Sequence, residues 1–111
     1  MLFFLTQVWY NKIILKMKVG FNFMLSREYT VASPDGIHAR PASLLVSAAS
    51  KFPDTSISLT VNGHDVNLKS IMGVMSLGIG QHTRIIISTS GDDEQAAMDS
   101  IQDVLIKNRI I

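Results

Sequence analysis

Hydrophobic and polar side chains alternate along four short stretches of the sequence, a pattern typical of strands with one buried face. The predicted strands cover Glu28 to Ser33, Ile57 to Val61, Val66 to Leu68, and Arg84 to Thr89. Asn62-Gly63 separates the second strand from the third, and this pair favours a tight hairpin because both central positions of a type I′ turn need positive φ. In the fourth strand, Ile85 and Ile87 are predicted to face the core and Ile86 the opposite side.

Three other stretches repeat apolar residues at helical spacing. The first predicted helix follows Pro41 and stops at Pro53, because proline suits a first helical turn and ends a helix that precedes it. Its predicted core face consists of Ala42, Leu45, Val46, Ala49 and Phe52. The second helix follows Ser70, a favourable N-cap, and ends at Gly78 and Gly80.

The third predicted helix begins after Asp92, which can act as N-cap with Gln95 as its capping-box partner. Its predicted buried stripe consists of Ala97, Ile101, Val104 and Leu105. Lys107 and Arg109 suit its C-terminal end, where the helix dipole favours positive charge. The resulting order, β-α-β-β-α-β-α, predicts an α+β fold in which helices cover one face of a four-stranded antiparallel sheet.

Residues 1–25 differ in composition from the rest of the chain, and we interpret them as an extension of a domain that covers residues 26–111. Lys12, Lys16 and Lys18 interrupt the apolar run short of the roughly 20 residues that a membrane helix needs. A signal peptide is also disfavoured, because no basic region precedes Leu2 and no cleavage site follows. We favour the interpretation that translation starts naturally at Met24, or that the extension is disordered. A functional extension is the alternative.

Composition narrows the classes of function. The 111 residues contain no cysteine, which excludes disulfides and thiolate metal sites. A formal net charge of +1 gives no general attraction to nucleic acids or anionic membranes. His64 and His82 lack metal-ligand spacing and are interpreted as solvated, and Lys69 as a surface lysine. We therefore expect a protein with no metal, no direct nucleic-acid contact and no membrane insertion. The absence of cysteine leaves the compartment open, and a cytoplasmic location is the default that follows from the interpretation of residues 1–25.

The clearest candidate chemistry lies around His38, immediately before the first helix. Unpaired N–H groups and the dipole at a helix N-terminus attract anions, and Arg40 adds a forked donor suited to phosphate oxygens. An imidazole beside such an anion site can carry a phosphoryl group. The alternative is that His38 is an ordinary loop histidine and Arg40 a solvated charge.

Two separate motifs resemble those of HPr, the histidine-containing phosphocarrier family of the bacterial sugar phosphotransferase system. They are Gly36-Ile37-His38-Ala39-Arg40-Pro41-Ala42 and the run from Val66 to Gly78. The second motif is similar to the form found in low-GC Gram-positive bacteria. The resemblance covers about Glu28 to Lys107 and implies an open-faced β-sandwich.

The resemblance also implies roles for individual residues. His38 would be phosphorylated on Nδ1, Arg40 would stabilise the phosphoryl group, and Ser70 would be a regulatory phosphorylation site. Leu44, Ile71, Met72 and Met75 would form a partner-binding surface, although the last three could instead be core residues.

The partners implied by the resemblance are enzyme I, enzyme IIA domains, HPr kinase/phosphorylase and a catabolite control repressor. Such a protein is a monomeric carrier without a cofactor, not an enzyme. Asp35 departs from the family pattern, since many relatives carry Ser or Thr there, and its charge is expected to repel a phosphoryl group on His38.

Two other functions compete with the phosphocarrier. One is a purely regulatory module in which Ser70 acts and His38 is silent, although relatives of that kind lack the active histidine. The other is a small ligand- or RNA-binding domain with the same layout. An RNA-binding domain predicts a basic or aromatic sheet face, which Ser58, Thr60 and Ser88 do not provide.

Overall fold

A four-stranded antiparallel sheet organises residues 24–111, the part of the chain that the computed structural model describes. The strands are β1 (Leu25–Thr30), β2 (Thr55–Val61), β3 (His64–Asn67) and β4 (Arg84–Gly91), in the spatial order β1-β4-β2-β3. The helices are α1 (Ala39–Ala49), α2 (Ile71–Ser76) and α3 (Glu94–Lys107). The predicted α+β class and the order β-α-β-β-α-β-α are confirmed.

The alternation of side chains in the two central strands separates the core from the open face of the sheet. Ile85 and Ile87 are fully buried, whereas Ile86 on the opposite side of β4 is 37% exposed, as predicted. The inward residues of β2, the other central strand, are also buried: Ile57, Leu59 and Val61. The helices cover this apolar side and leave a polar face, where the hydroxyls of Ser26 and Ser88 hydrogen bond at 2.8 Å.

The hairpin between β2 and β3 turns at the predicted pair. Asn62 and Gly63 have φ values of 52° and 82°, the positive pair that a type I′ turn requires. The tight turn fixes the register, in which Val61 lies opposite His64 and Ser58 opposite Asn67.

The first strand begins earlier than predicted, at Leu25 rather than Glu28, and ends at Thr30. The alternation of half-buried and exposed residues extends back to Leu25 and includes Arg27 on the half-buried side. A charged residue at a half-buried position does not fit the apolar pattern from which the strand was predicted. Arg27 Nη1 and the Tyr29 hydroxyl both donate to Gln102 Oε1 on α3, at 2.9 and 2.8 Å. Residues 1–23 of the predicted extension lie outside the described residues.

Helix boundaries shift by one to three residues from the predicted ones. The first helix begins at Ala39, so that Pro41 is its third residue, and it ends at Ala49. Phe52 therefore lies beyond the helix, half-buried. The N-cap position of α3 is Asp93 rather than Asp92, and its side chain makes no capping hydrogen bond. The predicted capping box is therefore wrong: Gln95 donates to Asp99 at 3.1 Å instead.

Lys69 is not the surface lysine that the sequence predicted. Its ammonium donates to the carbonyls of Phe52 and Thr55, both at 2.7 Å, and the residue is half-buried. β3 pairs with β2 only as far as Ser58, so the Thr55 carbonyl lies beyond the ladder and is satisfied by this side chain. Lys69 therefore ties the start of β2 to the segment before α2.

The helices of residues 24–111 are short compared with the thickness of a bilayer. None of them combines the length and the apolarity that a membrane crossing requires.

Candidate functional site

The loop before α1 holds His38 in a fixed position. Gly36 has a φ of +65°, and a Cβ there would lie 2.1 Å from the carbonyl oxygen of Ile79. The N–H of Gly36 donates to Ser33 O and that of Ile37 to Ile79 O, each at 3.0 Å. Because Ile37 is also buried, with 4% exposure, the chain has little freedom immediately before His38.

His38 is the N-cap residue of α1, but its side chain takes no part in capping. Its carbonyl accepts the N–H of Ala42 at 3.0 Å, while its imidazole makes no capping hydrogen bond. The residue is exposed. The imidazole can therefore be reached from solvent by a reacting group.

The first turn of α1 offers donors beside this imidazole. The N–H groups of Ala39 and Arg40 donate to no other group among residues 24–111, and Pro41 has no N–H. The Arg40 side chain is exposed and makes no ion pair within the same described range. Two amides and one guanidinium thus provide an anion site of the kind expected at a helix N-terminus.

A shallow depression of about 250 Å³ adjoins His38 and brings in residues that the sequence did not indicate. It is lined by Ser33, His38, Arg40, Pro41, Leu44, Asn108 and Ile110. The Ile110 carbonyl accepts the N–H groups of Ala32, at 2.7 Å, and Ser33, at 3.3 Å. The segment after α3 therefore forms one wall of the depression, a long-range contact for which the sequence carries no local signal.

Ser70 lies at a second helix N-terminus and caps it, as predicted. Its exposed hydroxyl accepts the N–H of Gly73 at 3.1 Å. The N-cap prediction is therefore confirmed, while the regulatory role of Ser70 remains a prediction.

Apolar side chains on α1 and α2 remain exposed. Met72 is 80% exposed, Met75 42%, and Leu44 and Ile71 39% each. The fully buried side chain of α2 is that of Val74, and α2 packs against α1. We call Leu44, Ile71, Met72 and Met75 the apolar patch. The alternative that Ile71, Met72 and Met75 are core residues is therefore wrong.

The remaining candidate residues lie apart from the depression. Asp35 is exposed in the turn before Gly36 and does not line the depression. His64 and His82 are exposed, as predicted. Among residues 24–111, no three His, Asp or Glu side chains come together in a cluster suited to a metal ion.

Comparison with known proteins points to one family. The family model for the phosphorylation-site component HPr of the phosphotransferase system matches residues 25–107. A histidine-containing phosphocarrier protein from Mycoplasma is 37% identical, with a TM-score of 0.76, and the match covers 78% of this chain and 98% of that one. The phosphocarrier protein HPr from Bacillus anthracis is 38% identical, with a TM-score of 0.69 and coverages of 75% and 98%.

A third similar structure is that of Crh, a catabolite repression protein from Bacillus subtilis, which forms a domain-swapped dimer. It is 33% identical with a TM-score of 0.59, and the match covers 77% of this chain and 95% of that one. The family model spans most of the chain and includes the loop that presents His38. The chain therefore belongs to the HPr family of the phosphotransferase system, whose members are phosphocarrier proteins rather than enzymes.

Proposed function

We propose that this protein accepts a phosphoryl group on Nδ1 of His38 from phospho-enzyme I and passes it to enzyme IIA domains during sugar uptake. The observation that carries the proposal is the exposed, non-capping imidazole of His38 beside the open amides of Ala39 and Arg40. We also propose that the protein acts in the cytoplasm, as a monomer and without a cofactor. This part of the proposal rests on the family resemblance.

The transfer step exchanges one nitrogen–phosphorus bond for another. The lone pair of His38 Nδ1 attacks phosphorus, the bond to the donor histidine breaks, and the donor ring leaves as a neutral imidazole when its other nitrogen carries a proton. The transition state of phosphoryl transfer is loose, so positioning and charge stabilisation supply most of the rate acceleration. The amides of Ala39 and Arg40, together with the Arg40 guanidinium, supply donors for the phosphoryl oxygens.

The apolar patch is the proposed docking surface for enzyme I and the IIA domains. Leu44 belongs to both this patch and the depression beside His38, so a partner seated on the patch would be close to the reacting nitrogen. Methionine is flexible and polarisable, and therefore suits a surface that must bind several partners in turn.

Ser70 is the proposed regulatory site, phosphorylated by HPr kinase/phosphorylase with ATP. A phosphate there would add about 1.5 to 2 negative charges next to Ile71 and Met72 of the apolar patch. We expect this charge to slow acceptance of phosphate from enzyme I and to favour binding to a catabolite control repressor.

A purely regulatory module is the second candidate function, supported by the similarity to Crh. In both candidate functions Ser70 is a regulatory phosphorylation site, but the regulatory module requires no phosphoryl transfer at His38. Transfer from enzyme I separates the two candidates.

The test of the phosphocarrier proposal is labelling with phosphoenolpyruvate and enzyme I. The unaltered protein should take up one phosphoryl group, and His38→Ala should take up none because the attacking nitrogen is gone. His64→Ala is the matched control, since His64 is also exposed but lies at the hairpin. Full labelling of His38→Ala would refute the acceptor assignment, and an unlabelled parent protein would favour the regulatory module.

A further inference from the structure

We infer that Ser33 is a further phosphoryl-binding residue, whose hydroxyl donates a hydrogen bond to an oxygen of the phosphoryl group on His38. This inference rests on the proposed carrier function and extends it to a residue outside the His38–Arg40 motif. Ser33 lines the same depression as His38 and Arg40. It belongs to the loop after β1, five positions before the reacting histidine.

The backbone around Ser33 is fixed at two points while its side chain remains unused. The N–H donates to Ile110 O at 3.3 Å, and the carbonyl accepts from Gly36 N at 3.0 Å. The residue is half-buried, and its hydroxyl makes no hydrogen bond with any other residue in the described range of the chain. A fixed position and an unused O–H group are the properties that a preorganised phosphate donor requires.

The other polar groups near the loop are less suited to this task. The side-chain amide of Asn108 already donates to the carbonyl of Val104 at 2.9 Å, which anchors it to α3. Asp35 is an acceptor when ionised, would repel a phosphoryl oxygen, and does not line the depression. The hydroxyl of Ser33 is neutral and can donate, so it lowers the electrostatic cost of the phosphorylated state without adding charge.

The hydrogen bond would form only when His38 carries the phosphoryl group, because the charged oxygens are then its acceptors. Hydrogen bonds from neutral donors to ionised acceptors are stronger than those between neutral groups. Loss of the hydroxyl should therefore destabilise phospho-His38 relative to the free imidazole, while the unphosphorylated fold is unaffected.

The experiment compares the parent protein with Ser33→Ala and Ser33→Thr, each phosphorylated chemically with phosphoramidate. ³¹P NMR gives the chemical shift of the phosphohistidine and its rate of hydrolysis, and His38→Ala identifies the signal that belongs to His38. We expect Ser33→Ala to shift this signal and to hydrolyse about tenfold faster. Ser33→Thr keeps a hydroxyl and should restore a slow rate.

A matched control separates phosphoryl binding from a structural effect. Ser47→Ala removes an exposed hydroxyl from α1 and should leave both the shift and the rate unchanged. The melting temperature of Ser33→Ala should also match that of the parent, since the two backbone hydrogen bonds remain. A parent-like signal and lifetime in Ser33→Ala, or an equal change in Ser47→Ala, would overturn the inference.

The chemical donor keeps this test independent of the proposed carrier function. If enzyme I fails to label the parent protein, the carrier proposal fails, but the NMR comparison still reports whether Ser33 contacts the phosphoryl group. If enzyme I labels the parent and the Ser33 variants do not differ from it, only the role of Ser33 is wrong.

Discussion

The N-cap residues of α1 and α2 are both polar, but only that of α2 uses its side chain to cap the helix. At α2, the hydroxyl of Ser70 accepts the N–H of Gly73, so one amide of the first turn is bonded within the protein. At α1, the imidazole of His38 caps nothing, and the amides of Ala39 and Arg40 remain open. The N–H groups of Ile71 and Met72 also donate to no other group among residues 24–111. The two helix ends therefore differ in the side chain of the N-cap residue, which makes a capping hydrogen bond only at α2, and in the guanidinium of Arg40 in the first turn of α1.

This difference separates two ways of handling phosphate. An open N-terminus with a guanidinium beside it is ready to hold a phosphoryl group that comes and goes, as the cargo of a carrier must. A serine-capped N-terminus can carry phosphate as a modification of the cap itself, where phosphate oxygens can replace the hydroxyl as acceptors. This contrast is consistent with the proposed roles, transfer at His38 and regulation at Ser70.

The largest loss of stability and transfer is expected at Gly36, because the loop before α1 has no space for a side chain there. Gly36→Ala would place a Cβ 2.1 Å from Ile79 O at a φ of +65°, so backbone must move. We expect a loss of about 3 kcal/mol or more in the free energy of unfolding, measured with urea, and a severe loss of phosphoryl transfer at His38.

Gly78→Ala is the matched control for this prediction, because it follows α2. Gly78 also has a positive φ, +59°, but nothing lies within 4 Å of an added Cβ. Only backbone strain remains, so the expected loss is about 1 kcal/mol with transfer preserved. Equal losses in the two variants would show that the close approach of Ile79 does not fix the loop.

The next largest effect concerns the guanidinium at the open N-terminus. Arg40→Ala should lower kcat/KM for transfer from phospho-enzyme I by about a hundredfold, and Arg40→Lys by about tenfold. Lysine keeps the charge but loses the fork of N–H donors. Transfer kinetics with purified enzyme I provide the measurement.

Arg84→Lys provides the control, since Arg84 is an exposed arginine of β4 that pairs with Glu28 at 2.6 Å. Its transfer rate should equal that of the parent protein. If Arg40→Lys is also indistinguishable from the parent, the forked geometry of Arg40 makes no contribution and its charge alone is sufficient.

A smaller effect is expected on the apolar patch beside Ser70. Met72→Asp places a charge at the most exposed position of the patch and should raise KM for enzyme I about tenfold, with kcat little changed. Ile106→Asp is the control, because Ile106 is 56% exposed but lies on α3. A similar rise in both variants would indicate nonspecific charge repulsion rather than docking at the patch.

Features encoded within a few neighbouring residues could be predicted from the sequence. The Asn62-Gly63 turn, the alternation of Ile85, Ile86 and Ile87, and the Ser70 cap each depend on local backbone preferences. The proximity of His38 and Arg40 also followed from their separation of two positions at a helix start. These predictions required no knowledge of how the chain folds back on itself.

Features that depend on distant contacts could not be predicted. The half-buried position of Arg27 is explained by two partners on α3, Gln102 at 2.9 Å and Asp99 at 3.6 Å from its Nη1. Lys69 links two segments because the carbonyls of Phe52, in the loop after α1, and Thr55, at the start of β2, both accept hydrogen bonds from its ammonium. Ser33 lies beside His38 because its N–H hydrogen bonds to the carbonyl of Ile110, in the segment after α3. No local sequence pattern predicts this contact.

The smallest effect is expected from substitution of Ser70, the N-cap residue of α2. Two substitutions at this position distinguish the effect of losing the cap from the effect of adding a charge. Ser70→Ala leaves the N–H of Gly73 without its acceptor and should cost about 1 kcal/mol of unfolding free energy in urea. Transfer to His38 should be unchanged, because no donor of α1 is altered.

Ser70→Asp completes the comparison, since aspartate also caps helices well but adds a negative charge. It should keep the stability of the parent protein while slowing transfer from enzyme I, and Ser70 phosphorylated with ATP and the kinase, verified by mass spectrometry, should slow it further. If Ser70→Ala slows transfer as much as Ser70→Asp, the integrity of α2 rather than its charge governs the encounter with enzyme I. The capped helix end would then act as a structural support for docking and not as a switch.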